Sequence, residues 1–562
     1  MAKGNKNNRT SDNEPKDLTS PGSALPSPSD QGVWKREISF IFLLLFLCYL
    51  LFFFHLGTRP LWDGDEGMHA TTSKDMVLSG DWITPTFNGE KFYDKPVLYN
   101  WFVSLSFLVF GFTEFAARLP SAILGTGCVM VVYLLGRGIF GPIVGFLSGV
   151  ILATSGEHLI LSRVVVHDIA LDFFITLALY FFYRGLQNEQ QRKRYYLLFY
   201  ASCGFAVLAK GPIGLLLPAL IISLFLLIQR RLSLLKELMS LLGILLFLAI
   251  AAPWYVLISL KNSDYGSYFF IHQNLMNFLS SEARHRAPFY YYFPVLLGGF
   301  FPWSCFLPLT FFRALRGSFG IRKDGVLFLL VWILVIFSFF SIASSKLPTY
   351  ILALFPAVSC LVGLLWHELL KAREPKFFRG FFYSFISFLG ILLVVLIYSW
   401  VNPPKDFEPV YGLDLLQIRS IVLLPLIGVA LSFYLFLRRH FNASFLTLAG
   451  MVVVLIFFLN LAIIPSVNPY RSTKRLAQKL DRMLAPGEKL VFARVMRDSA
   501  LFYTDRRALI LNTRKELMTF LGSNERVFCI IKRSLFESDE KFGQMAYVID
   551  QEGHKVILSN KK

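Results

Sequence analysis

The sequence predicts an all-α polytopic membrane protein of about thirteen transmembrane helices, followed by a small C-terminal α/β domain. Apolar runs of membrane-spanning length recur between residues 38 and 464, and ~20 apolar residues in a helix are enough to cross the hydrocarbon core. Hydrophobic residues make up 55% of the 562 residues and charged residues 17%, whereas a soluble protein carries roughly a quarter charged residues. The composition therefore excludes a soluble globular protein.

The N-terminal segment differs from the rest of the chain. Residues 1–34 are polar and rich in Asn, Ser, Pro and Lys, a composition that cannot bury a core and predicts a disordered tail. The apolar run 38–56 follows Lys35 and Arg36 without a small-residue cleavage site after it. We therefore interpret it as an anchor rather than a signal peptide, with the tail on the cytoplasmic side and a transmembrane domain over residues 35–465.

The distribution of charge between the apolar runs predicts the topology. Basic residues concentrate in alternate short loops, such as the one around Arg192, Lys193 and Arg194, as the positive-inside rule requires of cytoplasmic loops. This pattern holds only if run 97–112, which is shorter than a full span, lies on the membrane surface as an interfacial helix. The first outer loop then covers about 57–116, a length typical of functional loops. The thirteen predicted spans are 38–56, 117–136, 141–161, 169–183, 195–209, 212–228, 240–258, 289–312, 326–343, 350–370, 379–400, 419–437 and 444–464.

The net charge of +19 and the six cysteines add little about function. The charge is explained by the cytoplasmic loops, so no nucleic-acid partner is predicted. Five of the cysteines lie in apolar segments, which gives no disulfide framework.

Residues 466–562 are polar again and predict a small α/β domain. Short β-like runs at 490–495, 526–531, 546–549 and 555–558 are separated by helical stretches such as 472–484. Thirteen spans from a cytoplasmic tail place this domain on the outer side, where the first long loop also lies.

Ionisable residues cluster in the outer loops rather than at the bilayer midplane, where a transporter places them. Carboxylates suit a general base or a metal site, and lysines suit a phosphate. The sequence thus predicts a site for a phosphate-bearing lipid on the outer surface. Its candidates are Asp63, Asp65, Glu66, His69, Asp94 and Lys95 in the first loop, Arg163, His167, Asp168 and Asp172 after the third span, Lys210, and the turn 345–350 with Lys346 and Tyr350.

The same stretches resemble the GT-C glycosyltransferases, in particular the bacterial aminoarabinose transferases of lipid A and the related protein mannosyltransferases. The resemblance is carried in order by 62–70 (WDGDEGMHA), 79–82, 88–90, 94–96, 114–120, 209–212, 285–294 with Pro302 and Trp303, and 345–350. It covers roughly residues 38–464. It implies thirteen spans, with two surface helices in the first loop.

The resemblance also implies roles for individual residues. Asp65 stands at the position of the family's catalytic aspartate, Glu66 completes its Asp-Glu pair, and Asp168 matches a second acidic residue near the sugar. Lys95 and Tyr350 match residues that hold the lipid phosphate, and Asp94 matches an acidic ligand of a divalent metal ion. Two departures concern specificity and the metal: Met68 replaces an arginine of the aminoarabinose transferases, and Asn274 aligns with their histidine ligand, with His272 two residues earlier.

The resemblance predicts an inverting glycosyltransferase of the bacterial inner membrane. Its donor would be a polyprenyl-phosphate-linked sugar, and its acceptor an envelope lipid such as lipid A. Two alternatives remain open: a protein O-mannosyltransferase, and a lipid or solute transporter without catalytic activity. From the residues alone, Lys210 and Lys346 join Lys95 and Tyr350 as candidates for the lipid phosphate, and the C-terminal domain is expected in the periplasm.

Overall fold

The structure is a computed structural model that describes residues 28–276, 286–317, 323–371, 375–402 and 413–561. Within these ranges the side chains of 28–33, 270, 272–275, 375, 376 and 540 are not described. The architecture is a helical membrane bundle that carries a small sheet domain at its C-terminal end, as predicted.

Nine helices among the described residues are long and apolar enough to cross a membrane. They are Trp34–Phe53, Glu114–Phe140, Asp168–Gln187, Leu241–Lys261, Lys323–Ile342, Pro348–Lys371, Phe377–Val401, Leu415–Leu437 and Phe441–Arg471. The helices Phe289–Gly299 and Trp303–Leu315 form a tenth span if the pair, bent by 115°, is counted as one. The chain is therefore a multi-pass membrane protein.

The predicted count of thirteen spans is not confirmed, because three of the predicted spans are short, broken or polar at one end. Run 141–161 forms two helices, Pro142–Ala153 and Gly156–Leu161. Helix Ile213–Ile228 has 16 residues, or about 24 Å at 1.5 Å per residue, against a hydrocarbon core of about 30 Å. Helix Arg192–Lys210 begins with three basic residues.

Run 97–112 forms the helix Leu98–Phe110, whose 13 residues extend about 20 Å. This length is too short for a span and agrees with a surface helix. The other helices of the bundle are Asp65–Ser79, Ser233–Leu238, Ser267–Met276 (a π-helix) and the 3-10 turn Phe289–Tyr291. The last of the long helices, Phe441–Arg471, ends with the segment Ile464–Arg471.

The first loop, 57–116, holds two helices and a hairpin. Strands β1 (Thr86–Phe87) and β2 (Glu90–Lys91) are antiparallel and are joined by Asn88 and Gly89, whose φ values of 55° and 78° suit an Asn-Gly hairpin turn. Helix Asp65–Ser79, called the loop helix below, packs against Leu98–Phe110 and against the C-terminal domain.

The C-terminal domain is built around a five-stranded sheet in the order β4-β3-β5-β7-β6. The strands are β3 (Leu490–Ala493), β4 (Ala508–Leu511), β5 (Phe528–Lys532), β6 (Tyr547–Glu552) and β7 (Lys555–Ser559). Strand β3 is parallel to β4 and β5, whereas β7 is antiparallel to β5 and β6. The helices are Lys474–Asp481, Asp498–Thr504, Arg514–Leu521, Arg533–Glu537 and Glu540–Met545. Four of the strands were predicted, and β4 was missed.

Candidate functional site

The loop helix begins at Asp65, and this carboxylate is open to solvent. Gly64 precedes it with φ 94°, a backbone conformation that glycine adopts without strain. In the described part of the chain no group hydrogen-bonds to the carboxylate of Asp65, which is exposed. A carboxylate at a helix N-terminus is stabilised by the helix dipole, and the exposed side chain of Asp65 is accessible to a ligand.

The adjacent Glu66 is in the opposite environment. Its carboxylate accepts hydrogen bonds from Arg118 at 2.8 and 3.0 Å, from Arg59 at 3.1 Å and from the backbone N–H of Trp62 at 3.0 Å. Burial raises the pKa of this carboxyl, but the two guanidinium groups outweigh it and lower the pKa to about 2. Glu66 therefore ties the start of the loop helix to the first residues of the span Glu114–Phe140.

Three segments that are far apart in the chain meet near Asp168. The Asp168 carboxylate forms an ion pair with Lys210 and a hydrogen bond with the side chain of Thr349. The Lys210 ammonium lies 4.5 Å from the ring centre of Tyr350, a cation–π distance. The structure thus brings together the predicted residues Asp168, Lys210 and Tyr350.

Lys95 joins the same cluster from the first loop. Its ammonium is 3.3 Å from the carboxylate of its neighbour Asp94, and it interacts electrostatically with Asp168 and Tyr350. His69, one helical turn after Asp65, interacts with Asp65, Asp94, Lys95 and Asp168. Three of the predicted first-loop residues, His69, Asp94 and Lys95, therefore lie near the residues around Asp168.

Lys346 lines a cavity of about 560 Å³ beside this cluster. Its ammonium hydrogen-bonds to the carbonyl of Ala343, and burial lowers its pKa. Arg286 brings a second cation to the cavity and pairs through its backbone with Ser345. The other lining residues are mainly apolar: Ala287, Phe289, Phe293, Phe337, Ser338, Ser341, Ile342, Ala343 and Ser344.

Arg286 is a candidate that the sequence reasoning did not single out. It belongs to the quoted run 285–294, but only the fold places it beside Lys346. A basic residue three positions before the aromatic residues Phe289–Tyr291 was the available signal, since this pattern also occurs where a chain meets a lipid headgroup. Ser345 forms a side-chain hydrogen bond with Tyr350, which links this cavity to the cluster around Asp168.

The two residues predicted to bind a metal, Asp94 and His272, cannot be compared, because the structure describes the side chain of Asp94 alone. Asp94 is paired with Lys95, and the side chain of His272 lies outside the described residues. One group of three possible metal ligands is found within the described chain: Cys128, His158 and Asp172, whose ligand atoms lie within 4.8 Å of one another. All three are buried between the helices of the bundle.

The C-terminal domain holds the start of the loop helix from the other side. Asp63 accepts hydrogen bonds from Ser499 at 2.6 Å and from Thr473 at 2.8 Å. The backbone N–H of Gly64 donates to Asp498 at 3.0 Å. This domain therefore helps to set the position of Asp65, a contribution that the sequence reasoning missed.

Comparisons with known proteins identify the family of the chain. Residues 94–257 match the profile of a family described as dolichyl-phosphate-mannose-protein mannosyltransferase. An undecaprenyl phosphate-alpha-4-amino-4-deoxy-L-arabinose arabinosyl transferase from Aeromonas salmonicida is 36% identical over 354 residues, which is 60% of this chain and 61% of that protein. A protein of the same description from Pseudomonas aeruginosa is 30% identical over 379 residues, 66% of this chain and 68% of that protein. The chain belongs to this arabinosyl transferase family.

The similarity to solved structures extends over nearly the whole length of the chain. The crystal structure of ArnT from Cupriavidus metallidurans bound to undecaprenyl phosphate matches with a TM-score of 0.78 and 23% identity, covering 95% of this chain and 98% of that one. The archaeal oligosaccharyltransferase AglB from Archaeoglobus fulgidus matches with a TM-score of 0.54 and 13% identity, over 92% of this chain and 73% of that one. At these identities the likeness establishes the fold, which is the predicted GT-C type. The chain spans 61% and 62% of the length of the two Aeromonas relatives it matches.

Proposed function

We propose that the chain is an inverting glycosyltransferase that takes 4-amino-4-deoxy-L-arabinose from undecaprenyl phosphate and transfers it to an envelope lipid such as lipid A. The observation that carries the proposal is the pairing of two features: an exposed carboxylate, Asp65, and a cavity with two cations, Arg286 and Lys346. The apolar walls of the cavity suit a prenyl chain, and its cations suit a phosphate. Membership of the arabinosyl transferase family supports this choice of donor.

The transfer follows from these positions. The acceptor oxygen attacks the anomeric carbon, the bond between that carbon and the phosphate oxygen breaks, and the phosphate leaves from the opposite face of the sugar. The leaving group is a weak base and needs no general acid. Fixed cations at Lys95, Lys210, Arg286 and Lys346, with Tyr350, stabilise its developing charge. Asp65 accepts the proton of a hydroxyl acceptor, or stabilises the cationic sugar when the acceptor is a phosphate.

We assign supporting roles to the other two predicted carboxylates. Asp168 orients Lys210 through their ion pair and lies near the sugar. Glu66 positions the loop helix through Arg59 and Arg118 and does not itself contact the substrate. In this proposal residues 35–465 form the catalytic domain, and residues 57–116 and 466–562 lie on the periplasmic face of the inner membrane.

A divalent ion fits poorly at Asp94, because the ammonium of Lys95 already lies 3.3 Å from its carboxylate and Asn274 replaces the family's histidine. The proposed transfer therefore needs no ion there. Incubation of the purified protein with EDTA should leave its transfer rate unchanged. A rate that EDTA abolishes and one divalent metal restores would contradict this part of the proposal.

Protein O-mannosylation is the second candidate, and the profile match over residues 94–257 favours it. Purified protein should be given undecaprenyl phosphate-aminoarabinose with lipid A, and separately a polyprenyl phosphate-mannose with Ser/Thr peptides. Mass spectrometry of the acceptors decides between the two reactions. A pentosamine added to lipid A, and no hexose on the peptides, is the expected result. Donor binding without transfer to either acceptor would favour a transporter.

A further inference from the structure

Two histidines occupy the centre of the charged cluster and were given no role above. The rings of His69 and His167 meet edge to face, with centroids 4.4 Å apart. His69 lies one turn after Asp65 on the loop helix, and His167 directly precedes Asp168. The imidazole of His69 interacts with the carboxylates of Asp65, Asp94 and Asp168, and the contact between the two rings places His167 beside it.

Three of the ring nitrogens in this pair have no hydrogen-bond partner among the described residues: Nδ1 of His69 and both nitrogens of His167. Only 5% of His69 and 2% of His167 is exposed. A buried polar atom without a partner is costly, and native proteins keep few of them. Three such atoms in one cluster indicate that a ligand supplies the missing hydrogen bonds.

The surroundings show what kind of ligand fits. Carboxylates at Asp65, Asp94 and Asp168 interact with His69, whereas His167 interacts with the ammonium groups of Lys95 and Lys210. The pair thus lies between the carboxylates assigned to the reaction and the lysines assigned to the phosphate. When the phosphate of a lipid-linked sugar lies at the lysines and its anomeric carbon lies at the carboxylates, the sugar ring and its hydroxyl groups lie beside the two histidines.

The two imidazoles are neutral at ordinary pH. Burial lowers the pKa of His69 to about 4, with Lys95 acting in the same direction against Asp65, Asp94 and Asp168. Burial and the neighbouring His69 hold the pKa of His167 well below its usual range. A neutral imidazole offers one donor and one acceptor, which matches a sugar hydroxyl better than a phosphate or an ammonium group.

We propose that His69 and His167 form a sugar-binding subsite and hydrogen-bond to hydroxyl groups of the donor's sugar ring. This inference rests on the proposed function, because it takes the donor to be a sugar carried by a lipid phosphate. The rings of Tyr99 and Phe92 lie 4.9 Å from His167 and 6.3 Å from His69, and they fix the imidazoles in place.

The test compares two lipids and a set of matched variants. His69→Phe and His167→Phe keep an aromatic ring for packing and remove the nitrogens, whereas His69→Gln and His167→Gln restore a donor and an acceptor. His367→Phe is the control, since His367 is also a buried histidine with an unpartnered Nδ1 but lies in the helix Phe355–Lys371. Binding of undecaprenyl phosphate-aminoarabinose and of bare undecaprenyl phosphate is measured for each purified variant.

Each Phe variant should bind the sugar-bearing lipid about 3- to 10-fold more weakly, the effect of one lost neutral hydrogen bond. Binding of the bare lipid should change less than about twofold, and the Gln variants should recover part of the loss. His367→Phe should match the wild type. Equal losses for both lipids, or no loss for either, would overturn the subsite.

The subsite and the proposed function can fail independently in these experiments. A wild-type chain that binds the sugar-bearing lipid more tightly than the bare lipid, yet transfers no sugar, disproves the enzyme while the histidine variants still test the subsite. A wild-type chain that binds both lipids equally disproves the subsite, whatever its transfer rate.

Discussion

Asp65 and Glu66 are neighbours in the chain, but their side chains face different environments. Asp65 is exposed, whereas Glu66 is enclosed by two arginines. A fully paired carboxylate cannot accept a proton from a substrate without breaking its ion pairs. In the proposed mechanism the two adjacent acidic residues therefore have different roles: Asp65 contacts the ligand, and Glu66 holds the helix that carries Asp65.

The substitution Asp65→Asn tests the proposed catalytic role of Asp65. It keeps the shape of the side chain and removes its charge and basicity, so turnover should fall by about 10²-fold or more, the scale of acid–base catalysis. Donor binding should stay near normal. Transfer of aminoarabinose by the purified variant is measured, with Glu90→Gln, an exposed carboxylate in the same loop, as the control. Wild-type turnover in Asp65→Asn would show that another residue is catalytic.

Glu66→Gln should act on stability instead. Removing one partner of a buried ion pair costs about 3–5 kcal/mol, seen as a lower melting temperature in detergent. Because the pKa of Glu66 in the folded chain is about 2, below its ordinary 4.5, the stabilisation is present above about pH 4.5 and is lost as the pH falls from there towards 2. Glu537→Gln, which breaks the exposed pair with Arg533, should change the melting temperature little. An unchanged melting temperature in Glu66→Gln would refute the positioning role.

Lys346→Met and Lys95→Met should weaken binding of bare undecaprenyl phosphate. A charge-assisted hydrogen bond contributes about 1.5–3 kcal/mol, so each variant should lose roughly 10- to 150-fold in affinity. Arg286→Met should behave in the same way, because Arg286 lines the same cavity as Lys346. Lys261→Met, which removes a partner of Asp81 away from the cavity, serves as the control. Unchanged affinity in all three site variants would place the phosphate elsewhere.

At the scale of elements, the contact between the loop helix and the helix Asp498–Thr504 decides where Asp65 lies. A Cβ atom on Gly67 would come within 2.6 Å of the backbone nitrogen of Ser499. The two helices therefore approach closely only because residue 67 has no side chain. Together with the hydrogen bond from Gly64 to Asp498, this approach fixes the first turn of the loop helix against the C-terminal domain.

Gly67→Ala should separate these two helices. Overpacking of this kind typically costs about 1–3 kcal/mol, and it should also lower turnover by moving Asp65. Gly450→Ala, where a Cβ atom would meet nothing within 4 Å, is the matched control. Melting temperature and transfer rate are measured for both variants. A Gly67→Ala protein with normal values would show that the C-terminal domain does not set the position of Asp65.

Elements with a strong local pattern were predictable from the sequence, and long-range contacts were not. Most of the apolar runs and the short run 97–112 formed single helices, although run 141–161 formed two, and four of the five C-terminal strands were found. Strand β4 was missed because its four residues are all apolar and show no alternation of polar and apolar side chains, and because the run is short. The hydrogen bonds between Asn88 and Ala508 join segments far apart in the chain, and no periodicity encodes such a contact.

The same distinction applies to the site. The motif residues around Asp65 and Asp168 were predicted because they stand in ordered runs. That Glu66 is enclosed by Arg59 and Arg118, and that Arg286 shares a cavity with Lys346, depends on packing. The assigned roles of all these residues remain predictions that the variants above test.

At the scale of the whole molecule, the contacts between the first loop and the C-terminal domain constrain the topology. Asp63 hydrogen-bonds to Ser499, and Lys74 donates to the backbone carbonyl of Phe502 at 2.8 Å. These two regions must therefore lie on the same side of the membrane, and the chain must cross it an even number of times between them. Twelve of the thirteen predicted spans follow the first loop, which satisfies this condition even though the exact count is not confirmed.

The last prediction concerns the orientation of the protein. If the basic loops face the cytoplasm, then residues 90 and 500 lie in the periplasm, and the N-terminal tail and the loop at 188–191 lie in the cytoplasm. Fusions of alkaline phosphatase, which is active only in the periplasm, and of green fluorescent protein, which fluoresces only in the cytoplasm, should be made at each position. Phosphatase activity at 90 and 500 and fluorescence at 190 are expected. A cytoplasmic residue 500 would contradict the proposed orientation. Opposite sides for 90 and 500 would further contradict the docking of the C-terminal domain against Asp63, and with it the assembly of the site from both regions.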